Sequence, residues 1–365
     1  MDFSKLTLYI DSLSGRFNIP GCDIAVWREH KPVYRHSAGF SDYANTRPVS
    51  SDDSYNIYSA TKLSTSVCAL QLIERGALSL DDDVSAYIPA FADVRVRENG
   101  ALVPPKTPVK LRHLITMTGG MDYNCEAAPV ISAVKNGKTS TLDIVSSMAR
   151  VPLGFHPGTH FKYSLCHDVL GAVIEAASGA RLRDYMRRNL FEPLGMTRTG
   201  FDLDCTAAQY KYTPDGIAEL HGCSFRFTPD YDSGGAGLVS TVDDYIRLMD
   251  MLACGGAGET GRRVLSEQSV LEMRTNRLSG PALSVFQQFR PQYGYGLGVR
   301  TLLDESASKS PFGEFGWDGA AGMYALADTK NRLSVFFAMH VVDYGEMFDI
   351  VHPALRDPVY ECMGL

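Results

Sequence analysis

The chain predicts an α/β fold in which one antiparallel sheet is built from both termini, flanked by terminal helices, with a mostly helical region inserted in the middle. Three observations predict it. Strand-like runs lie near the start, strand-like runs lie near the end, and the long stretch between them has the apolar periodicity of helices. Residues 1–65 and 231–365 are therefore assigned to one α/β sandwich domain, and residues 66–230 to a helical domain.

The elements follow in order. Residues 3–17 carry Leu6, Tyr9, Ile10 and Leu13 at helical spacing, and Ile19-Pro20-Gly21 ends that helix. Residues 22–27 and 31–35 read as strands separated by Arg28-Glu29-His30, a hairpin. From Ser59 onward an apolar stripe through Val67, Leu70, Leu72 and Ile73 runs to Gly76, which breaks the helix. Helical runs recur at 111–115, 141–145 and 169–174. Beyond Pro291 the texture changes: residues 293–299 alternate large apolar side chains with glycine, a strand in which backbones approach closely. Two more strands, at 323–327 and 333–339, are joined by the turn Asp328-Thr329-Lys330-Asn331. A closing helix is expected over 344–362, interrupted or kinked by Pro353 and Pro358. There is no internal repeat.

Composition bounds the function. At 365 residues, 45% hydrophobic and 21% charged, the chain has ample length for a core. Its net charge of -7 argues against a nucleic-acid partner, which selects a basic face. No apolar run reaches the roughly 20 residues that span a bilayer. The start, Met1-Asp2-Phe3-Ser4-Lys5, has no basic region followed by an apolar stretch, so a cytoplasmic location is expected. Eight cysteines, at 22, 68, 125, 166, 205, 223, 254 and 362, form no Cys-x-x-Cys pair and describe no zinc site. A reduced state is expected, with several, such as Cys68, serving as small core hydrophobes.

Three motifs carry chemistry. Ser59-Ala60-Thr61-Lys62 places a serine and a lysine three apart on one helix face, so that the amine can activate the hydroxyl without a histidine. Alone this pattern is common, usually a capping serine beside a solvated lysine. Phe161-Lys162-Tyr163-Ser164-Leu165 puts a tyrosine on a loop at a helix start, where a nearby cation suits it to general-base work. Phe315-Gly316-Trp317-Asp318-Gly319-Ala320-Ala321-Gly322 packs small residues ahead of a strand, allowing a substrate close to a backbone N–H.

In that order, Ser59-x-x-Lys62, Tyr163-Ser164 and Trp317-x-Gly319 resemble the penicillin-recognising serine hydrolases. The likeness is greatest to class C β-lactamases, D-aminopeptidases and family VIII carboxylesterases. Leu111-Arg112-His113-Leu114-Ile115-Thr116-Met117-Thr118-Gly119-Gly120, Phe191-Glu192-Pro193-Leu194-Gly195-Met196 and Gly235-Ala236-Gly237-Leu238-Val239-Ser240-Thr241-Val242-Asp243-Asp244 are similar to the family's phrasing, so the resemblance covers nearly the whole chain. It implies a β-lactamase-like fold with the active site in the cleft between the two domains. It implies Ser59 as the acylated nucleophile at a helix N-terminus, Lys62 as the group helping to deprotonate it, and Tyr163 as the proton carrier to leaving group and water. The backbone N–H groups of Ser59 and Ala320 would hold the oxyanion, without metal or organic cofactor. The partner implied is a small ester or amide, with no nucleic acid and no membrane.

Departures from the family narrow the substrate. Where β-lactamases carry Lys-Thr-Gly, this chain has Trp317-Asp318-Gly319, and tryptophan cannot attract a carboxylate. Where they carry Tyr-x-Asn, it has Tyr163-Ser164-Leu165, and Leu165 offers no donor or acceptor to an amide. Both changes disfavour anionic amides. Trp-x-Gly is also the variant seen among family VIII esterases, so a carboxylesterase on small neutral esters is expected. β-Lactamase, D-aminopeptidase or amidase, and acyltransferase activities remain as alternatives, with a non-catalytic binding relative behind them. Asp318 either selects a cationic substrate or is a surface carboxylate turned away. Tyr123, Phe286, Phe289 and Tyr293 are candidates to shape the pocket. His156, His160 and His167 surround the second motif, but Pro157 and Gly158 keep them off one helix face, so they read as hydrogen-bonding or surface residues. Asp81-Asp82-Asp83 reads as an acidic helix-start turn, Gly255-Gly256-Ala257-Gly258 lacks a phosphate loop's strand-before-helix context, and Cys166 reads as packing.

Overall fold

The computed structural model describes residues 1–222 and 225–365; Cys223 lies outside the described residues. Seven strands form the principal sheet: β1 (Gly21–Arg28), β2 (Lys31–Gly39), β3 (Tyr293–Tyr295), β4 (Arg300–Leu302), β5 (Phe315–Asp318), β6 (Tyr324–Asp328) and β7 (Leu333–Met339). Their spatial order is β2-β1-β7-β6-β5-β4-β3. Every neighbouring pair is antiparallel. The N-terminal hairpin joins the C-terminal strands through β1 and β7, in a register running from Cys22 opposite Met339 to Arg28 opposite Leu333. The two ends of the chain therefore share one sheet.

Five helices frame it and the site: α1 (Ser4–Phe17), α2 (Thr61–Glu74), α3 (Cys166–Ser178), α4 (Val242–Ala253) and α5 (His352–Met363). The alternation of side chains along a strand decides what each face of the sheet meets. Leu333, Val335, Phe337 and Met339 of β7 pack with Leu6, Ile10 and Leu13 of α1 and Leu355 and Val359 of α5. The intervening Phe336 and Ala338 join the larger core on the other face, with Tyr245, Leu248, Met249 and Leu252 of α4. Each fully buried Leu or Ile contributes about 1.5–3 kcal/mol, enough to fix which face is which.

Two sequence expectations are refined. Residues 293–299 are not one strand: β3 stops at Tyr295, and a hydrogen bond from Gly296 N–H to the Val299 carbonyl at 2.8 Å folds the chain into β4. Gly298 stands at φ +82°, where a built Cβ would strike Ser66 and His167, so the turn requires glycine. The closing helix runs on from a π-helical turn over Met347–Val351 into α5 at His352, with Pro353 at the junction and Pro358 inside α5. The central region holds the expected helices at Leu111–Ile115 and Thr141–Met148, the latter begun by the Ser140 side chain accepting from Asp143 N–H. It also holds short hairpins, Val96–Glu98 with Ala101–Val103 and Tyr210–Thr213 with Gly216–Glu219, that helical periodicity does not show. Among the described residues no helix is long and apolar enough to cross a membrane.

Candidate active site

Ser59 lies in the single turn Tyr58–Ala60 that leads directly into α2, so it stands at a helix N-terminus as expected. Tyr58, immediately before it, has φ +46°, a left-handed conformation that costs a non-glycine residue about 1–2 kcal/mol. The Tyr58 hydroxyl accepts a hydrogen bond from Gln209 Nε2 at 2.6 Å, which holds this tight entry in place. Lys62, one helical turn on, is fully buried. Its Nζ donates to Ser59 Oγ at 3.1 Å and to the Gly235 carbonyl at 2.7 Å. It also lies 4.6 Å from the Tyr163 ring centroid and 5.8 Å from that of Tyr123. A lysine side chain buried so deeply needs polar partners, and the carbonyl, hydroxyl and π-faces replace the lost water.

Tyr163 is carried on the loop before α3. Backbone bonds tie that loop to the 117–122 segment, Lys162 N–H to the Met117 carbonyl at 3.0 Å and Leu165 N–H to the Asp122 carbonyl at 3.3 Å. Trp317 of β5 faces the same space and donates its indole N–H to the Tyr163 hydroxyl at 3.0 Å. Tyr123 stacks on Tyr163, with ring centroids 5.7 Å apart and planes 12° from parallel. Phe225 meets Tyr123 edge-on, and Tyr295 meets Trp317 edge-on. The serine and lysine are thus walled by aromatic rings. Burial pushes the Tyr123 phenol well above its ordinary pKa, with the neighbouring Tyr163 and Asp168 adding to it.

The end of β5 reaches back to the serine's turn. A Cβ on Gly319 would collide with the Ile57 carbonyl, so only glycine lets the strand end come this near. Gly319 N–H is used inside its own turn, on the Met323 carbonyl at 2.9 Å. Ala320, next in the chain, is exposed. Among the described residues no turn or loop carbonyl engages the N–H of Ser59 or of Ala320, the two donors predicted for an oxyanion.

Two residues here were not singled out in the sequence. Asp168, in the first turn of α3, is fully buried beside this cluster and accepts from the Tyr231 hydroxyl at 2.7 Å and the Ser233 hydroxyl at 2.6 Å. Burial raises its pKa, while the Ser233 and Tyr231 hydrogen bonds and the Lys62 charge pull it down. Gly235 supplies the carbonyl that Lys62 holds, and a side chain there would strike the Asp168 carboxylate. Its signal was visible as the Gly235-x-Gly237 phrase, whereas an aspartate in a helix's first turn resembles any dipole-stabilising residue.

Other candidates fall elsewhere. Asp318 alternates with Trp317 along β5 and so points through the opposite face of the sheet. There it is not an exposed carboxylate: Arg300 Nη1 donates to it at 2.8 Å and Arg290 Nη2 at 2.9 Å, all three side chains being largely buried. Tyr293 belongs to that face too, accepting from Arg356 Nη1 at 2.9 Å. Leu165 is buried beside Met121, Val130 and Met148, as core. Phe286 stands behind the aromatic wall against Phe161 and Tyr295, and Phe289 is half exposed beside Arg290. The three histidines have separate partners: His156 pairs with Glu98, His160 with Thr159 and His167 with Ser66. Cys166 is buried, in contact with Ser164 Oγ at 3.1 Å.

An antiparallel sheet closed by both termini, with helices on each face and a buried Ser-x-x-Lys at its rim, defines the β-lactamase-like class of serine hydrolases. The Beta-lactamase family model matches residues 7–357, and the chain belongs to that family. Esterase EstB of Burkholderia gladioli is 28% identical over 388 residues, covering 98% of this chain and 95% of its own. Among solved structures, EstCE1, described as a hydrolase with promiscuous acyltransferase activity, superposes with a TM-score of 0.82 at 26% identity, over 98% of this chain and 97% of its own. Unliganded simvastatin synthase LovD from Aspergillus terreus, as the selenomethionyl derivative, gives a TM-score of 0.84 at 22% identity over 99% of both chains, a likeness of fold. The chain is thus an enzyme of a serine hydrolase family whose members include esterases and acyltransferases, in keeping with a family VIII esterase-like protein.

Proposed function

We propose that the chain is a carboxylesterase of small neutral esters, working through an acyl-enzyme on Ser59. The observation that carries this reading is the Trp317 indole, which donates to the Tyr163 hydroxyl at 3.0 Å. At the third motif the side chain nearest the site is thereby a neutral aromatic, and it offers no cation to the carboxylate of a β-lactam. In this reading Lys62, 3.1 Å from Ser59 Oγ, takes the hydroxyl proton as the oxygen attacks the ester carbonyl. The N–H groups of Ser59 and Ala320 receive the developing oxyanion. Tyr163 passes a proton to the departing alcohol and then takes one from the water that releases the acyl group, while Lys62 returns its proton to Ser59 Oγ. The site would lie where the helical region, residues 66–230, meets the sheet formed by the chain's two ends.

Initial rates on p-nitrophenyl butyrate and on a chromogenic cephalosporin test the reading, with the parent protein and Ser59→Ala. Ester turnover abolished in Ser59→Ala, with little cephalosporin turnover, is the expected result. Ester activity persisting in Ser59→Ala would sink the mechanism, and strong cephalosporin turnover would sink the substrate class. Because EstCE1 is described as a promiscuous acyltransferase, an added alcohol is a third arm: faster release of p-nitrophenol with ester formed from that alcohol would make water the lesser acceptor.

A further inference from the structure

Away from the catalytic cluster, the turn between β1 and β2 meets the C-terminal end of α4. Glu29 and His30 both take left-handed backbone there, at φ +53° and +65°, a pairing that turns the hairpin tightly and presents the His30 ring to the helix. Asp250 and Cys254, four apart at the end of α4, lie on one helix face. His30 Nδ1 is 2.7 Å from Asp250 Oδ2, and Cys254 Sγ is 3.7 Å from Asp250 Oδ1. One ligand atom from each residue lies within 4.8 Å of the other two.

A buried carboxylate links the other two residues of the cluster. The Asp250 side chain is 1% exposed, and its one ion-pair partner among the described residues is His30. A cavity of about 550 Å³ opens beside the cluster, lined by His30, Cys254, Glu267, Arg263, Arg274 and Arg332 among others, leaving room for an entering ion and a water. Arg332 lies beside Cys254 and is exposed, so its guanidinium can withdraw into solvent.

We propose that His30, Asp250 and Cys254 bind a zinc-like divalent transition-metal ion, with water as the fourth ligand. One imidazole nitrogen, one carboxylate oxygen and one thiolate suit a tetrahedral zinc ion; calcium and magnesium select oxygen alone. On binding, the Cys254 thiol gives its proton to solvent and its sulfur lone pair to the ion, while His30 enters neutral. The ion would clamp the hairpin turn to α4, a structural role independent of the chemistry at Ser59.

The test uses the whole chain, reduced, stripped with a chelator and dialysed, then titrated with Co²⁺. A thiolate-to-cobalt charge-transfer band saturating at one equivalent and displaced by Zn²⁺ is expected. It should vanish in Cys254→Ser and remain in Cys205→Ser, which removes a second thiol, 3.9 Å from the His340 imidazole. Zinc affinity should fall at least about tenfold in His30→Ala. Zinc should raise the melting temperature of the parent but not of Cys254→Ser. A Co²⁺ band that survives Cys254→Ser, or no band at several equivalents with a folded parent, overturns the proposal.

Discussion

Lys62 has a carbonyl and a hydroxyl as direct partners, but the negative charge it feels comes from Asp168, which the Tyr231 and Ser233 hydroxyls hold in place. Asp168→Asn keeps the shape and an acceptor while removing that charge. We expect kcat/KM for a neutral ester to fall at least about tenfold, because the negative charge beside the Lys62 amine is lost. An unchanged kcat/KM would show that Asp168 only packs. Asp318 is the opposite kind of residue. Its carboxylate answers Arg300 and Arg290 behind the sheet, so Asp318→Asn should leave the ratio of rates on cationic and neutral esters unchanged. Stability should drop in urea unfolding, by less than the roughly 3–5 kcal/mol of a buried charge stripped of every partner, since Arg300 keeps Glu314 and Arg290 keeps Asp349.

At the scale of elements, the site depends on how near β5 comes to the turn before α2. Gly319→Ala places a methyl group against the Ile57 carbonyl and forces the strand end outward. A loss of about 10²–10³ in kcat is expected if that end supplies an oxyanion donor, with a stability cost of about 1–3 kcal/mol from overpacking. Steady-state kinetics beside thermal unfolding separate the two effects: a fall in stability with kcat intact would detach the strand end from catalysis. The loop holding Tyr163 depends in the same way on backbone bonds to the 117–122 segment, which explains why a motif and a distant family phrase belong to one device.

Across the whole molecule, acid lability follows from buried neutral histidines. Burial lowers His340 and His352 from 6.5 to about 4, and burial together with the Arg112 and Lys110 charges does the same for His113. Between pH 6.5 and 4 the unfolded chain binds protons at these rings that the folded chain refuses. Stability is therefore fully present above the unfolded value and is lost as pH falls towards the folded one. Glu314 and Asp23, raised by burial, act with the opposite sign, so a variant must isolate one ring. Urea unfolding of parent and His340→Gln at pH 7 and pH 5 should show the parent losing about 2 kcal/mol more on acidification. Equal losses would mean that His340 titrates normally in the folded state.

Much was legible in the chain itself. Alternating and 3.6-residue apolar patterns marked the strands at both ends and the helices between, because burial on one face imposes those periods. The serine, lysine, tyrosine and tryptophan that the structure brings together could be picked out because the proposed chemistry needs such residue types in that order. Tertiary structure decided the rest. Whether Asp318 met substrate or arginine depended on the face its strand turned to the cleft, and Arg300 and Arg290 are brought to it by other segments. Leu165 became core because Met121, Val130 and Met148 close over it. Asp168 and Gly235 gained their place beside Lys62 because α3 and the chain before α4 converge on one buried amine. Local sequence sets local conformation, but which charges share a low-dielectric interior is set by chain segments that meet only on folding.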